Sequence, residues 1–320
     1  MIDYTISKQD ILIAHERINN YIHHTPVISS STLNEFSGME LYFKCENFQK
    51  VGAFKARGAL NAILCLADED RKKGVATHSS GNHAQAVAYA AGILHIPSWI
   101  VMPSTAPKVK KNAVRDYGGK IVECNPTLED REKILQKVIT ETGAVPIHPY
   151  DDSRIITGQA TAALEFTRQV SGLDAIVTPV GGGGLLSGTV LATRYFSSAT
   201  KVYAGEPEGA DDAFQSLREG KIIPSVNPNT IADGLLTSLG TLNFKIIQNG
   251  VEEIITVSDK QIVEAMRWLW ERMKLVVEPS GAVPLAAVLR QPELFRGQRV
   301  GIVLSGGNVG LDTFFEQFVR

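Results

Sequence analysis

A run of four glycines is the feature of this sequence with the clearest chemical potential. The run consists of Gly181, Gly182, Gly183 and Gly184. It follows an apolar stretch at residues 175–180 and precedes a helical pattern at residues 185–195. Glycines let backbone N–H groups approach a phosphate, and a following helix adds its positive end. Because consecutive glycines are costly in conformational entropy, the run predicts a ligand site rather than a simple tight turn.

The two common phosphate-binding motifs do not match this glycine run. A P-loop requires a lysine after its last glycine, and Thr189 stands there instead. The dinucleotide fingerprint requires a third glycine, and its two possible frames have Leu186 and Ser187 at that position. Both motifs therefore fail, which leaves a small ligand with a single phosphate group.

A lysine is the second candidate reactive group. Lys55 lies beside Phe54, near a predicted helix start. Most lysines are solvated surface charges. An aromatic neighbour could instead remove water from the amine and lower its pKa toward the range that suits a Schiff base. The spacing alone leaves both interpretations open.

Short β-rich apolar runs alternate with helical patterns and must position these residues. Their length and β-branching favour strands. The predicted strands are residues 41–44, 98–102, 120–124, 175–180, 201–205 and 300–304. The alternation predicts an α/β protein with mostly parallel strands. Small, polar and glycine residues follow the runs that end at 77, 180 and 304, where ligands bind in such sheets.

Three predicted helices begin at a hydroxyl residue that is followed three positions later by an acid or glutamine. The starts are Ser7, Thr127 and Ser258. Apolar spacing predicts that Ile22 belongs to the stripe of the first helix and Met273 to the inner face of the last.

Composition excludes several classes of protein. The net charge is -2, whereas a protein whose main partner is nucleic acid is usually basic. No apolar run approaches the ~20 residues of a membrane span. The first residues do not resemble a signal peptide, and the 3 cysteines form neither a disulfide framework nor a zinc motif. A cytoplasmic enzyme is predicted, without nucleic-acid or membrane partners.

Four ordered motifs carry a resemblance to a known family. The motifs AFKARGA, HSSGNHAQA, PVGGGGLLSG and LSGGNV occur in this order. They resemble those of pyridoxal-phosphate enzymes of the tryptophan-synthase (type II) fold, above all serine racemase and the serine/threonine dehydratases. The resemblance extends from HTPV at residues 24–27 to the last motif. It implies two open, twisted, mostly parallel sheets with helices on both faces.

The resemblance also implies a domain organisation. Residues 1–73 and 152–320 would form a large cofactor-binding domain, and residues 74–151 a small mobile domain. The substrate would bind between the two domains. Members of the family usually form homodimers.

The resemblance assigns cofactor roles by position. Lys55 would hold pyridoxal 5'-phosphate as a Schiff base and move the Cα proton of the substrate. Phe54 would pack beside the cofactor ring, and Asn82 would bind its phenolic oxygen. The four glycines would hold the phosphate, and Ser305 would meet the pyridine nitrogen. A hydroxyl there does not enforce a positive ring charge, which suits elimination.

The implied activity is that of a serine/threonine ammonia-lyase. It would convert L-serine or L-threonine to the 2-oxo acid and ammonia by α,β-elimination. The substrate carboxylate would be bound at a helix start. The residues implied there are Ser79, Ser80, Gly81, Asn82 and His83.

Three residues leave the activity open. Ser80 stands where serine racemases have serine, so its hydroxyl could reprotonate the opposite face and produce a D-amino acid. Ala53 gives the context VGAFK, which resembles the hydroxyaspartate dehydratase branch. Arg131 falls where a cation could meet a second substrate carboxylate, as in a threo-3-hydroxyaspartate ammonia-lyase. The preferred substrate and any nucleotide activation stay open.

A divalent metal site is the last feature that the resemblance implies. Glu206, Asp212 and the carbonyl of Ala210 match its ligands. Hard oxygen ligands of this kind suit Mg²⁺ or Ca²⁺.

Overall fold

Ten strands form two separate sheets in the computed structural model, which describes residues 6–106 and 108–310. The strands are β1 (Val27–Ser29), β2 (Glu40–Cys45), β3 (Val75–His78), β4 (Ser98–Pro103), β5 (Lys120–Cys124), β6 (Val145–Pro146), β7 (Ala175–Pro179), β8 (Lys201–Pro207), β9 (Glu253–Val257) and β10 (Arg299–Leu304). The N-terminal residues 1–5, predicted to lack a signal peptide, and residues 311–320, the end of the predicted large domain, lie outside the described residues.

The two sheets are mostly parallel. The larger has the order β1-β2-β10-β7-β8-β9 and the smaller has the order β5-β4-β3-β6. Within the described residues only β1 pairs antiparallel, with β2. The predicted α/β class and the six predicted strands are confirmed. Their apolar runs suit a sheet that helices cover on both faces.

Helices connect the strands and cover both sheets. They are α1 (Lys8–Ile18), α2 (Ser31–Ser37), α3 (Lys55–Leu64), α4 (Asp68–Lys73), α5 (Asn82–Ile93), α6 (Lys108–Asp116), α7 (Leu128–Thr142), α8 (Ser153–Gln169), α9 (Gly184–Phe196), α10 (Asp212–Glu219), α11 (Thr241–Gln248), α12 (Asp259–Arg267), α13 (Pro279–Arg290) and α14 (Pro292–Phe295). None of the described helices is long and apolar enough to cross a membrane.

Side-chain caps begin three helices where the sequence predicts. Ser7 and Ser258 each form a full capping box, with Asp10 and Gln261. Thr127 accepts a hydrogen bond from a backbone N–H in the first turn of α7. These bonds satisfy N–H groups that the helix itself leaves unpaired.

The predicted extents of two helices are wrong. Helix α1 ends at Ile18, and Ile22 is buried after a turn rather than on the helix. Helix α12 ends at Arg267 and continues as one wide π turn, so Met273 follows that turn. In both cases apolar spacing persists beyond the regular helix because the chain that follows still packs against the core.

Helix α8 returns the chain from the small sheet to the large one and packs between α3 and α9. At Gly158 the backbone of α8 touches the backbone of α3 directly. A Cβ at Gly158 would lie 2.7 Å from both the carbonyl oxygen of Arg57 and the Cα of Gly58. Only glycine allows two helices to approach this closely.

Candidate active site

Lys55 is the first residue of α3 and points its amine into the interior. Its Nζ donates a hydrogen bond to the carbonyl of Pro149 at 2.8 Å and lies 5.1 Å from the centre of the Phe54 ring. Burial lowers the pKa of Lys55 to about 8. A sizeable fraction of this amine is therefore neutral near physiological pH, as a nucleophile or base requires.

The backbone before Lys55 pairs with the end of the last strand. Ala53 forms an isolated bridge with Gly306, and Phe54 N–H donates to the carbonyl of Ser305 at 3.0 Å. Ser305 directly follows β10 and is 3% exposed. The first and last motifs of the sequence therefore meet at one place.

The glycine loop lies between β7 and α9. Gly183 has a φ of +94°, a left-handed conformation that favours glycine, and α9 begins without a side-chain cap. A Cβ at Gly182 would overlap the ring of Tyr150, and one at Gly184 would lie 3.2 Å from its Cβ. This close packing against Tyr150 explains why Gly182 and Gly184 have no side chain. The uncapped N–H groups of α9 form a cradle for an anion such as phosphate.

Asn82 lies in a hydrogen-bonded group at the start of α5. Its Nδ2 donates to Glu278 at 2.8 Å, and its Oδ1 accepts from Asn308 at 2.9 Å. Asn308 also donates to the carbonyl of Val51 at 2.7 Å. These bonds fix the orientation of the amide and leave it one further N–H to donate.

Glu278 is the buried acid of this group. Burial raises its pKa to about 7, and the charge of Asp233 contributes in the same direction. Glu278 is 4% exposed. It therefore exchanges its proton near neutral pH while it touches Asn82.

The segment from Ser79 to His83 begins α5 with few side-chain caps. Ser79 Oγ accepts from Gly81 N–H at 3.3 Å, and Gly81 is the N-cap. The Ser80 hydroxyl has no hydrogen-bond partner among the residues described. His83 turns Nε2 to the carbonyl of Ile147 at 3.2 Å, and burial, together with the charge of Lys55, holds its pKa well below the usual range. Its ring is therefore neutral, and anion binding falls to backbone N–H groups.

Arg131 lies on α7, close to the strand end that leads into this segment. Burial lowers the pKa of His78, and the charge of Arg131 lowers it further. The Nε of Arg131 is buried and finds no hydrogen-bond partner within residues 6–106 and 108–310. One N–H of the guanidinium is therefore left unpaired among the described residues.

The three predicted metal ligands lie at the end of β8, which contains Glu206, and in the turn that follows it. Glu206 accepts from the N–H groups of Ala213 and Phe214 at 2.9 and 2.8 Å. Asp212 is 4% exposed, and neither of its carboxylate oxygens has a partner in the described part of the chain. Ala210 and Asp212 line a cavity of about 280 Å³. Two desolvated carboxylates beside a carbonyl fit a hard divalent cation.

These features fit pyridoxal phosphate. They offer a buried amine of lowered pKa, an anion cradle at a helix start and a buried hydroxyl at a neighbouring strand end. Four further residues contact the site without having been predicted as site residues: Glu278, Pro149, Tyr150 and Asn308. Asn308 belongs to the quoted LSGGNV motif, and Glu278 precedes a helix-starting proline. Pro149 and Tyr150 have no local sequence signal.

Glu278 makes stability depend on pH. Its folded pKa of about 7 lies above the ~4.3 of an unfolded chain, so the folded protein retains a proton that the unfolded chain releases. The free energy of unfolding therefore falls as pH rises between these values. Glu278→Gln still accepts from Asn82 but cannot ionise. We expect it to exceed the wild type at pH 8 by up to roughly 3 kcal/mol, as measured by urea unfolding of the cofactor-free protein.

The exposed Glu35→Gln is the matched control for this measurement. It should follow the wild-type stability at every pH. The same dependence of unfolding free energy on pH in wild type and Glu278→Gln would contradict the assignment of that slope to Glu278.

Comparisons with known proteins agree with this site. A family model described as pyridoxal-phosphate dependent enzyme matches residues 18–306. A beta-hydroxyaspartate dehydratase from Paracoccus denitrificans is 52% identical over 309 residues, covering 97% of this chain and 98% of that protein. An L-threo-3-hydroxyaspartate ammonia-lyase from Saccharomyces cerevisiae is 48% identical over 306 residues, covering 95% and 94%.

A solved structure is also similar over nearly the whole chain. The serine racemase of Dictyostelium discoideum has a TM-score of 0.92 and 50% identity, covering 96% of this chain and 99% of that one. The named activities of these relatives differ, while their family and fold agree. Match length and identity together show that this chain belongs to the pyridoxal-phosphate-dependent enzymes, among their dehydratases and racemases.

Proposed function

We propose that the protein is an ammonia-lyase that acts on β-hydroxy-α-amino acids, with L-serine and L-threonine as substrates and the 2-oxo acid and ammonia as products. The observation that carries this proposal is the Lys55 amine, whose pKa burial lowers to about 8. An amine of this kind can remove and return a proton near neutral pH. Ser305, at the neighbouring strand end, adds a hydroxyl rather than a carboxylate.

We assign the cofactor contacts as follows. Lys55 holds the aldehyde carbon of pyridoxal phosphate, the glycine loop holds the phosphate, and Ser305 faces the ring nitrogen. Phe54 packs beside the ring, and Asn82 donates to its phenolic oxygen. When bound, the cofactor withdraws electrons from the substrate Cα and so makes its proton acidic.

The chain's own groups perform the remaining tasks. Lys55 Nζ, freed when the substrate amine takes its place, would accept the Cα proton. The N–H groups at the start of α5 bind the substrate carboxylate, with Ser79 beside them, and this interaction needs no titrating side chain. The neutral His83 adds no charge. The β-hydroxyl leaves as water once it receives a proton.

The first test uses the protein loaded with pyridoxal phosphate and Mg²⁺. We expect pyruvate from L-serine and 2-oxobutanoate from L-threonine, measured as oxo acid released. Lys55→Ala should lower this rate by about 10²–10⁴-fold, the usual contribution of a positioned base. Lys72→Ala, on the exposed helix α4, is the control and should keep full activity. Oxo acid release by Lys55→Ala at the wild-type rate would refute the role of Lys55.

Two alternative activities are each favoured by one observation. The Ser80 hydroxyl, at the position where the resemblance places the serine of serine racemases, supports racemisation. The buried Nε of Arg131, which has no hydrogen-bond partner in the described part of the chain, supports a substrate with a second carboxylate, such as 3-hydroxyaspartate. Ser80→Ala should abolish D-serine formation while pyruvate release continues.

Arg131→Gln should raise KM for 3-hydroxyaspartate about tenfold or more, as loss of a charged hydrogen bond predicts, without changing KM for L-serine. The exposed Arg115→Gln is the control, and chiral chromatography and initial rates are the measurements.

We also propose that Glu206, Asp212 and the carbonyl of Ala210 bind Mg²⁺ or Ca²⁺. The two unpartnered oxygens of the buried Asp212 support this site. Saturating Mg²⁺ should raise the melting temperature of EDTA-treated protein, because a ligand that binds only the folded state stabilises it. Asp212→Asn should lose most of this shift. An equal shift in Asp212→Asn would place the ion elsewhere. Homodimer formation stays a prediction of the family resemblance, and a cytoplasmic location stays a prediction of the cysteine content and composition.

A further inference from the structure

Four fully buried charged side chains lie beneath the first turn of α3. This charge cluster consists of Lys44, Glu46, Arg57 and Glu165, none of which is more than 1% exposed. Arg57 has five N–H donors, and all five are used. Nε and Nη2 donate to Glu46 at 2.7 and 2.8 Å, and Nη1 and Nη2 donate to Glu165 at 2.7 and 2.8 Å. The fifth reaches Thr161 Oγ1 at 3.2 Å.

The other members complete the neutralisation. Lys44 Nζ donates to Glu165 at 2.8 Å, to the carbonyl of Thr25 at 2.9 Å and to Gln169 at 2.9 Å. Two positive and two negative groups therefore balance inside the protein. Burial alone would raise the pKa of Glu165, but Arg57 and Lys44 lower it to about 2. Glu165 therefore stays ionised.

A buried charge cluster of this kind is weak evidence of a contribution to stability. Desolvation of buried ion pairs is so costly that apolar residues of similar volume often replace them without loss. A buried ionic group can instead specify one arrangement of the elements that it joins. Here the cluster joins β2 through Lys44, the turn after β2 through Glu46, α3 through Arg57 and α8 through Glu165.

Lys55 lies between two anchors. On one side, the backbone of Ala53 and Phe54 is bound to Ser305 and Gly306. On the other side, Arg57 is held by both carboxylates. The start of α3 has no side-chain cap, and its first turn is held by backbone bonds from Ala56 and Arg57 to the carbonyls of Ala53 and Phe54.

We propose that Arg57 is a positioning residue, whose guanidinium, held between Glu46 and Glu165, sets the first turn of α3 and thereby aims the Lys55 amine into the active site. This inference rests on the proposed role of Lys55. The rigid fork of arginine can hold two carboxylates at once, whereas a lysine ammonium cannot reproduce that geometry.

The experiment compares holoenzyme variants by three measurements. These are the pH titration of the visible absorbance of the lysine-bound cofactor, the melting temperature, and kcat with KM. Arg57→Lys and Glu165→Gln should shift the titration midpoint and lower kcat by about tenfold to a hundredfold, with a much smaller change in KM, because a small displacement of a reacting group is this costly. Leu164→Ala, a buried neighbour of Glu165 on α8, should lower the melting temperature and leave the absorbance titration and kcat unchanged.

A milder variant covers the case in which these substitutions prevent folding. Thr161→Val removes one hydrogen bond from Arg57 and should shift the titration and kcat in the same direction, by less. If the folded variants lose stability as Leu164→Ala does but keep the wild-type titration and kcat, the cluster is merely structural and the inference is overturned. A wild-type protein that forms no cofactor adduct would refute the proposed function itself, before any variant is made.

Discussion

The parallel pairing of β2 with β10 is the contact on which the site depends. These strands come from the two ends of the chain, and β10 lies between β2 and β7 in the large sheet. The pairing continues past the strands as the bridge between Ala53 and Gly306. Closing a loop of this length costs conformational entropy, which the buried apolar residues of the strands offset. Lys55 and Ser305 become neighbours only when this closure is complete.

The small sheet supplies the opposite side of the site. The chain leaves the large sheet after β2, builds four strands and returns through α8. The end of β3 leads to the start of α5. There Asn82 donates a hydrogen bond to Glu278, which belongs to the part of the chain that packs on the large sheet. The return segment places Pro149 on Lys55 and Tyr150 on the glycine loop. Both chain segments that connect the two sheets therefore contribute residues to the site, which lies where ligands of parallel sheets bind.

The sequence predicts the parts of this arrangement that depend on local patterns. Strand ends that bear glycine or small polar residues, such as Ser305, are visible in one sequence. So are helix caps such as Ser258. The edge strand β9 was missed because it begins at a glutamate, and β1 because it spans only Val27–Ser29. The three residues of β1 fall short of the length from which a strand is recognised.

Contacts between distant segments account for what the sequence does not predict. Pro149 takes part through its backbone carbonyl, which carries no side-chain signal. Glu278 resembles any other acid before a proline-started helix until its burial against Asn82 is known. In the sequence, Arg57 is simply a charged residue of the AFKARGA motif, two positions after Lys55. Only the fold brings Glu165 into contact with it. The roles of these residues come from burial and pairing, which a spacing rule does not contain.

Burial also determines the charge state of the site. Lys55, His83 and Glu278 are all shifted toward their neutral forms. The two positions proposed to bind anions are instead the uncapped starts of α5 and α9, whose backbone dipoles do not titrate. Binding of the cofactor phosphate and of a substrate carboxylate is thereby separated from proton transfer. The site can hold its anions over a wide pH range, while Lys55 and Glu278 exchange protons near neutral pH. Placing backbone N–H groups and uncharged side chains together is what makes this separation possible.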